Sequence, residues 1–327
     1  MDNNLVTIAK QFDERTVSVE FLTDCRNTIH KATTSDRSFI LRLSPQNYRT
    51  KAQIESELDF QKYLFDNGAD VVNPIYCTSG ERCLTAENGE THAIVSAFEY
   101  ANGKDWDERN DKLPDVMQNI GKALGKIHRL SKDYTPVGVV KRRLWSEQQE
   151  LTRAHDVFKN HSSVLLRKYT DFMEEMANSE MTSDNFGLTH GDYLMSNYFI
   201  GENNALSVYD FDECEYSWFA ADLAICMRCY LFWTMNPADL PNKADEAEMM
   251  HYNLLLGYSE ENTVTEDMVF GLEKYIKIRD YIELVQLLTQ GELNEIEQTL
   301  HDMILDRVLY GKPFLEFSKE RAKTLLH

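Results

Sequence analysis

The feature that most constrains this sequence is a stretch of polar residues between Leu188 and Ala224, placed among short apolar segments. It reads LTHGDYLMSNYFI, then a short polar interval, then LSVYDFDECEYSWFAADLA. Burying polar side chains is costly unless they are paired, so such a group between strand-like segments indicates a functional site. Its candidate residues are His190, Asp192, Asn197, Asp210 and Asp212.

Two short apolar segments within this stretch predict a β-hairpin. Residues 198–200 and 206–209 have strand-like composition, and the turn residues GENN lie between them. Asn197 enters the first strand and Asp210 leaves the second, so a hairpin would bring an amide oxygen and a carboxylate together. Hard oxygen ligands of this kind suit Mg²⁺, which binds a few protein oxygens together with phosphates. Asp192 lies on the loop just before the hairpin.

The two linked motifs also carry a family resemblance. HGD-x4-N followed by a strand that ends in DFD resembles the aminoglycoside phosphotransferase and choline kinase-like family, small-molecule kinases with the protein-kinase fold. The order Asp, Asn, Asp is similar to the kinase catalytic loop and DFG motif. Gly191 stands where protein kinases have Arg, and Asp212 where they have Gly, which favours the small-molecule branch. The alternative is a surface loop with solvated acidic residues.

The resemblance implies a reaction and assigns roles to the five residues of the motif. The reaction is in-line transfer of the γ-phosphoryl group of ATP to a small acceptor, usually a hydroxyl group. Asp192 would be catalytic, and His190 would hold the shape of its loop. Asn197 and Asp210 would hold Mg²⁺, and Asp212 would either support them or be a weaker metal ligand.

A cation within an apolar segment near the N-terminus is the next implied residue. Arg42 lies in the strand-like segment 38–43, where the family has a cation that contacts the nucleotide phosphates and pairs with a helix glutamate. Glu57 is the predicted partner, with Glu55 as the second choice. Kinases usually have lysine at this point, and arginine differs from lysine in how it contacts phosphate.

The remaining nucleotide contacts are implied by the resemblance alone. The segment 23–27 occupies the position of the loop over the ATP phosphates, and Asn27 is the contact predicted there. It contains no glycine, so its backbone amides approach phosphate less freely. The hinge between lobes would recognise adenine through the Glu99 carbonyl and the Ala101 amide, with Phe98 lining the pocket.

The resemblance implies a bilobed protein-kinase-like fold of the α+β class. The N-terminal nucleotide-binding lobe, residues 1–101, would be an antiparallel sheet with one helix packed on it, at about 50–65. The C-terminal catalytic and substrate-binding lobe, residues 102–327, would be larger and mostly helical. Asp222 would cap the helix after the motif and brace the catalytic loop through backbone hydrogen bonds. Further helices are predicted at about 1–16, 266–274 and 276–290.

The acceptor contacts are predicted from position and chemistry. Glu213, Glu215, Tyr216 and Trp218 directly follow the metal-binding strand. Acidic and aromatic side chains together suit an amine or a quaternary ammonium group. Core packing is the alternative for the aromatic residues. Choline, aminoglycosides, homoserine and methylthioribose are acceptors within the broad family, and the sequence does not select among them.

Composition limits the partners and the compartment. The formal net charge of -20 and a pI near 4.9 argue against nucleic acid or an anionic membrane and are compatible with a cationic small substrate. No segment of the 327 residues has the length of a membrane span, and the start lacks the pattern of a signal peptide. The six cysteines are scattered, and even Cys226 and Cys229 have no second ligand pair nearby, so reduced thiols and a cytoplasmic setting are expected.

Three other functions are compatible with parts of this pattern. A catalytically silent kinase-fold binding protein would account for Arg42 and for the loop without glycine. A metal-dependent hydrolase would use His190, Asp192 and Asp210 as ligands and would need no nucleotide. A protein kinase is disfavoured because the segment 211–221 is too short to receive a polypeptide substrate.

Overall fold

The chain folds into two compact units, each assembled from separate stretches of sequence. The computed structural model describes residues 2–88, 91–101, 103–104, 113–234, 243–314 and 316–326. Unit 1 consists of Met1–Trp106, Asp133–Arg142 and Ser196–Cys214. Unit 2 consists of Asp107–Lys132, Arg143–Met195 and Glu215–His327. The two units interleave along the chain, whereas the predicted lobes, 1–101 and 102–327, are continuous; that lobe boundary stays a prediction.

The elements are numbered in chain order. The strands are β1 (Ser18–Asp24), β2 (Thr28–Thr33), β3 (Ser38–Pro45), β4 (Pro74–Ile75), β5 (Leu84–Asn88), β6 (Thr91–Glu99), β7 (Phe186–Thr189), β8 (Tyr198–Ile200), β9 (Leu206–Val208) and β10 (Glu215–Trp218). The helices are α1 (Asp2–Ala9), α2 (Lys51–Asp66), α3 (Leu113–Ser131), α4 (Gln149–His161), α5 (Ser163–Ala177), α6 (Phe219–Thr234), α7 (Ala244–Ser259), α8 (Glu266–Phe270), α9 (Leu272–Thr289), α10 (Glu295–Tyr310) and α11 (Glu320–Lys323).

Unit 1 is built on an antiparallel sheet. Its strand order is β1-β2-β3-β6-β4, with β5 also paired to β6. Side chains on a strand alternate between the two faces of the sheet, and the two buried clusters follow this alternation. Phe39, Leu41 and Val95 belong to the cluster that includes Ala9 of α1. The other face carries Ile94, Phe98 and side chains of α2.

The alternation also decides where Arg42 points. Because Phe39 and Leu41 lie in the cluster with α1, Ile40 and Arg42 are on the face that α2 covers. Ile54 and Leu58 of α2 pack on that face. The sequence pattern of β3 therefore places a cation beneath the helix that carries its predicted partner.

Helix α2 has strong signals at both ends, and its predicted range is confirmed. Thr50 and Gln53 form a capping box at the N-terminus. At the C-terminus Asn67 is the capping residue, and Gly68 follows with φ 78°. The helix spans Lys51–Asp66, within about a residue of the prediction at each end.

Two predicted helices have different limits in the structure. The first helix ends at Ala9 rather than near residue 16, because hydrogen-bonded turns continue from there and β1 begins at Ser18. The helix predicted at 266–274 is interrupted at Gly271, so that α8 ends at Phe270 and α9 begins at Leu272.

Unit 2 is mostly helical, and two glycines allow its helices α3 and α7 to pack closely. A Cβ atom at Gly121 would lie 1.8 Å from the Leu254 carbonyl oxygen. A Cβ atom at Gly257 would lie 1.8 Å from the Gln118 carbonyl oxygen. Only glycine permits this approach, which brings His128 of α3 within hydrogen-bond distance of Tyr258 of α7.

The fold class is α+β with an N-terminal antiparallel sheet, as predicted. Among the helices of the described ranges, none has both the length and the apolar character needed to cross a bilayer.

Candidate active site

The predicted metal-binding hairpin is present in unit 1. Strands β8 and β9 pair with Tyr198 opposite Val208, and the Tyr209 N–H donates to the Asn197 carbonyl oxygen at 2.9 Å. Asn197 and Asp210 therefore lie at the same end of the hairpin. Asp210 has a left-handed backbone, φ 64° and ψ 60°, a conformation that aspartate adopts more readily than most residues. Its side chain is 44% exposed, whereas Asn197 is buried.

The residues after Asp210 are fixed by buried contacts within unit 1. Phe211 is fully buried and meets Phe60 of α2 edge to face, with ring centroids 5.9 Å apart. The Arg49 guanidinium donates to an Asp212 carboxylate oxygen at 2.7 Å. Asp212 is thus already in an ion pair, and its role as a metal ligand stays a prediction. Arg142, which sequence reasoning missed, donates to the Asp212 carbonyl at 2.6 Å.

The predicted ion pair of Arg42 is confirmed, and Glu57 rather than Glu55 is the partner. The two guanidinium nitrogens donate to the two Glu57 oxygens at 2.7 and 2.8 Å, and both side chains are buried. The guanidinium lies over the Phe98 ring at 5.0 Å and is 3.7 Å from an Asp210 oxygen. Burial would lower the pKa of Arg42, but the Glu57 carboxylate raises it above its ordinary value. The guanidinium therefore stays protonated.

The other predicted nucleotide contacts are placed but not tested. β1 extends to Asp24 and β2 begins at Thr28, which reduces the predicted loop, 23–27, to the turn 25–27. Asn27 has a buried side-chain oxygen with no hydrogen-bond partner in the described part of the chain. The Glu99 N–H donates to the Asn73 carbonyl at 2.9 Å, and Ala101 packs beside the cluster that contains Phe98. Their roles in nucleotide binding stay predictions.

The predicted catalytic loop, around Asp192, belongs to unit 2 and is held by a buried carboxylate. β7 leads into it and pairs with β10. The N–H groups of His190 and Gly191 donate to the two oxygens of Asp222 at 2.7 and 2.9 Å. The predicted hydrogen bonds between the loop backbone and Asp222 are therefore present. The prediction that Asp222 caps the helix is wrong. Asp222 lies inside the first turn of α6, which begins at Phe219.

The hydrogen bonds around Asp222 continue to a histidine of α3. The His128 ring is fully buried, with Nε2 3.0 Å from an Asp222 oxygen and Nδ1 3.0 Å from the Tyr258 hydroxyl. Burial lowers the pKa of His128 more strongly than the Asp222 carboxylate raises it, so the ring is neutral. Because a carboxylate only accepts, Nε2 carries the proton and Tyr258 donates to Nδ1. The three residues form one buried chain of hydrogen bonds.

His190 supports the loop from within. Its ring is fully buried, its Nδ1 accepts a hydrogen bond from the Asp192 N–H at 3.3 Å, and it meets Tyr193 edge to face. The Asp192 side chain is 19% exposed. An Arg279 nitrogen lies 3.3 Å from an Asp192 oxygen. No local pattern in α9 marked Arg279, since its proximity to the loop depends on how that helix packs.

The predicted acceptor contacts have different surroundings in the structure. Trp218 is fully buried, and its indole N–H donates to the Glu180 carbonyl at 3.0 Å, so it is a core residue and that prediction is wrong. Glu215 is buried in unit 2 with Arg143 at 3.0 Å and Gln148 at 2.7 Å. Glu213 belongs to unit 1 and is paired there with arginines.

A pocket in unit 2 lies beside the catalytic loop. Its lining includes Thr189 and Gly191 of the loop and its approach, Glu215 of β10, and Tyr275 and Arg279 of α9. Tyr216, also predicted as an acceptor contact, is half-buried and is not among its lining residues. The lining of the pocket is partly polar and partly apolar, because isoleucines of α6 and α9 also contribute to it.

The described residues contain no group of three or more His, Cys, Asp or Glu side chains arranged to hold a metal ion. A pair of oxygen ligands, in contrast, is compatible with Mg²⁺, which keeps waters and substrate phosphates as its other ligands.

Comparison with known proteins decides the family. Residues 19–252 match the model of the phosphotransferase enzyme family, APH. This chain belongs to that family. It is 24% identical over 288 residues to amicoumacin kinase of Bacillus subtilis (strain 168), which covers 88% of this chain and 84% of that protein.

Solved structures of this family of small-molecule kinases have the same fold. Amicoumacin kinase hAmiN, in complex with AMP-PNP, Ca²⁺ and Ami, has a TM-score of 0.83 at 21% identity, covering 97% of this chain and 96% of that one. A microcompartment-associated aminopropanol kinase has a TM-score of 0.72 at 19% identity, covering 94% and 97%. The predicted family, the kinase-like fold and the activity, phosphoryl transfer to a small molecule, are confirmed.

Proposed function

We propose that this phosphotransferase moves the γ-phosphoryl group of ATP to a hydroxyl group of a small, amine-bearing molecule, with Mg²⁺ as its metal. The observation that carries the proposal is the end of the β8–β9 hairpin. Asn197 and Asp210 meet there, and the ion-paired Arg42 lies 3.7 Å from Asp210. A cation and two hard oxygen ligands together suit a metal-bound polyphosphate.

Asn197 and Asp210 would hold the metal through their side-chain oxygens. When bound, Mg²⁺ would supply positive charge that offsets the negative charge developing on the phosphate oxygens during transfer. Asp212 would act on this site through Arg49, to which it is bound at 2.7 Å. The AMP-PNP and Ca²⁺ of the hAmiN complex support the use of a nucleotide and a divalent metal.

The nucleotide would lie along the sheet of unit 1. Arg42, fixed by Glu57, would contact its phosphates, and Asn27 would contribute from the β1–β2 turn. The Glu99 carbonyl and the Ala101 amide would bind adenine beside Phe98. This arrangement would place two charged groups that face phosphate, Arg42 and Asp210, at the same end of the site.

Asp192 would act on the acceptor. Its carboxylate accepts a hydrogen bond from the acceptor hydroxyl and takes the proton as the new oxygen–phosphorus bond forms and the bond to ADP breaks. His190 and Asp222 hold the loop so that this carboxylate is correctly oriented. Because each of them bonds to the backbone of the loop, both are positioning residues.

The pocket of unit 2 is the proposed acceptor site. Glu215 lines it, with its carboxylate fixed by Arg143 and Gln148. An amine on the acceptor is supported by the net charge of -20 and by the aminopropanol named for one structural relative. Because Glu215 already has an arginine partner, its part in binding an amine is one hydrogen bond rather than a full unpaired charge.

A cytoplasmic location is also part of the proposal. All six cysteines are free thiols, five of them buried. Burial raises the pKa of Cys77 to about 11 and of Cys83 to about 12, which keeps both thiols protonated and unreactive. Reduced thiols and the use of ATP both fit the cytoplasm.

Calorimetric titration with Mg²⁺ and ATP tests the proposal. The wild type should bind, and Asp210→Ala should lose the metal-dependent part of the affinity. Asp36→Ala, which removes another exposed aspartate of unit 1, should bind as the wild type does. If the wild type fails to bind at millimolar ATP, a free energy weaker than about 4 kcal/mol, the protein is a silent member of the fold. A binding result would be followed by a transfer screen over amines, amino alcohols and sugars.

A further inference from the structure

The turn between β1 and β2 differs chemically from a phosphate-binding glycine loop. Glycine loops bind phosphate through backbone N–H groups that can approach closely. Here the strands stay paired up to Asp24 and Thr28, and the Cys25 N–H donates to the Asn27 carbonyl at 3.3 Å. The turn is therefore tight, and its most prominent group is the side chain of Arg26.

Arg26 reaches the segment that follows the metal-binding strand. Its guanidinium nitrogen is 3.3 Å from a Glu213 oxygen and 3.4 Å from the Tyr48 hydroxyl. Glu213 comes three residues after Asp210 in the chain. All four residues belong to unit 1. A cation on the β1–β2 turn thus lies at the segment where the metal and the phosphates are proposed to bind.

Glu213 is held independently of Arg26. The same Glu213 oxygen accepts from Arg49 at 2.6 Å and from the Tyr48 hydroxyl at 2.9 Å. The contact to Arg26 is the longest of the three, and the Arg26 side chain is 56% exposed. Exposed ion pairs of this kind are weak. Arg26 can therefore leave Glu213 without stranding a buried charge.

Two other arginines of unit 1 are held in buried ion pairs. Arg42 makes two hydrogen bonds to Glu57, and Arg49 is shared between Asp212 and Glu213. Both are buried, so moving either would leave an uncompensated carboxylate inside the protein. Of the three arginines, Arg26 has the exposed guanidinium, which can exchange its contact with Glu213 for another partner.

We propose that Arg26 binds the phosphates of ATP beyond the α-phosphate and does with its side chain what glycine loops do with backbone amides. The guanidinium exchanges its contact with Glu213 for phosphate oxygens, where its planar donors can form two parallel hydrogen bonds. The proposal rests on ATP being the phosphoryl donor. It adds a nucleotide-binding residue and accounts for a loop that contains no glycine.

The test compares Mg-ATP with AMP as calorimetric ligands of the full chain. Arg26→Gln should weaken Mg-ATP binding by about tenfold, the loss of a charge-assisted contact, and leave AMP affinity unchanged. Arg26→Lys keeps the charge but lacks the paired planar donors of the guanidinium, so it should recover part of the affinity. Arg15→Gln is the matched control, because it removes an exposed, ion-paired arginine of the same unit.

The outcomes separate this proposal from the proposed function. If Arg26→Gln binds Mg-ATP as tightly as the wild type, or loses Mg-ATP and AMP affinity equally, Arg26 does not bind the outer phosphates. An unchanged melting temperature in the variant shows that it is folded. Failure of the wild type to bind Mg-ATP would instead overturn the donor assignment, and with it this inference.

Discussion

The hairpin of unit 1 and the catalytic loop of unit 2 each present an aspartate with an arginine nearby, but they are stabilised differently. Asp210 is set by local strand pairing and by its own left-handed backbone, and its side chain is 44% exposed. Asp192 lies on a loop whose backbone N–H groups are bound by Asp222. That carboxylate is in turn bound by His128, which is 94 residues away in the chain.

The difference shows that the two proposed functional acids depend on unlike parts of the sequence. The hairpin needs about a dozen consecutive residues, so its geometry follows from local pattern. The loop depends on a buried chain of hydrogen bonds from Tyr258 through His128 to Asp222. Substitutions far from Asp192 in sequence should therefore affect catalysis while leaving nucleotide binding in place.

The largest expected effect is on turnover. Asp192→Asn should lower kcat by about 10²–10⁴-fold, because the amide cannot take the acceptor proton. Mg-ATP affinity should stay unchanged, since the proposed nucleotide contacts lie in unit 1. Asp156→Asn, a highly exposed aspartate of unit 2, is the control for steady-state kinetics and calorimetry. Turnover close to that of the wild type would remove Asp192 from the mechanism.

The ion pair behind the hairpin should matter most for stability. Glu57→Gln leaves the buried Arg42 charge without its partner and should cost about 3–5 kcal/mol of unfolding free energy. Glu55→Gln removes a half-buried glutamate of the same helix, whose lysine partner is 3.8 Å away, and should cost less than about 1 kcal/mol. Chemical denaturation measures both. Equal losses in the two variants would contradict the buried-pair interpretation.

The brace of the catalytic loop should separate catalysis from nucleotide binding. Asp222→Asn replaces an acceptor-only carboxylate with an amide that cannot accept all three N–H donors, a loss of about 1–3 kcal/mol. We expect kcat to fall by about tenfold or more, with Mg-ATP affinity unchanged. Asp184→Asn, which is 70% exposed, controls for the change of charge. A parallel loss of nucleotide affinity would mean that the two regions are not independent.

The smallest effect concerns pH and a buried histidine of unit 2. Burial lowers the pKa of His251 from 6.5 to about 4, although its Nε2 is bonded to the Met268 carbonyl at 2.9 Å. The unfolded chain therefore takes up this proton at a higher pH than the folded chain. The contribution of His251 to the unfolding free energy is fully present above about pH 6.5. It falls as the pH drops towards 4, by about 2 kcal/mol at pH 5.

Denaturation at pH 7, 6 and 5 checks this expectation. His251→Gln, which can still donate to Met268, should reduce the loss of stability on acidification. His155→Gln, at an exposed position, should keep the slope of the wild type. The same slope in all three proteins would exclude His251 as its source.

Sequence reasoning predicted the local elements well because their signals lie within single segments. The helix predicted at about 50–65 is α2, and the predicted strand-like segment 38–43 that carries Arg42 is part of β3. Sequence reasoning failed where two residues looked alike but belong to different units. Glu213 and Glu215 are two positions apart, yet one belongs to unit 1 and the other to unit 2.

The sequence by itself determined the family motifs and the hairpin of Asn197 and Asp210, and the resemblance limited the partner of Arg42 to Glu57 or Glu55. Tertiary structure alone decided that Trp218 is a core residue, that Arg279 meets Asp192 and that His128 supports the catalytic loop. The physical reason is the range of the interactions. Periodicity and capping act between residues a few positions apart, whereas these three contacts form only when segments distant in the chain pack together.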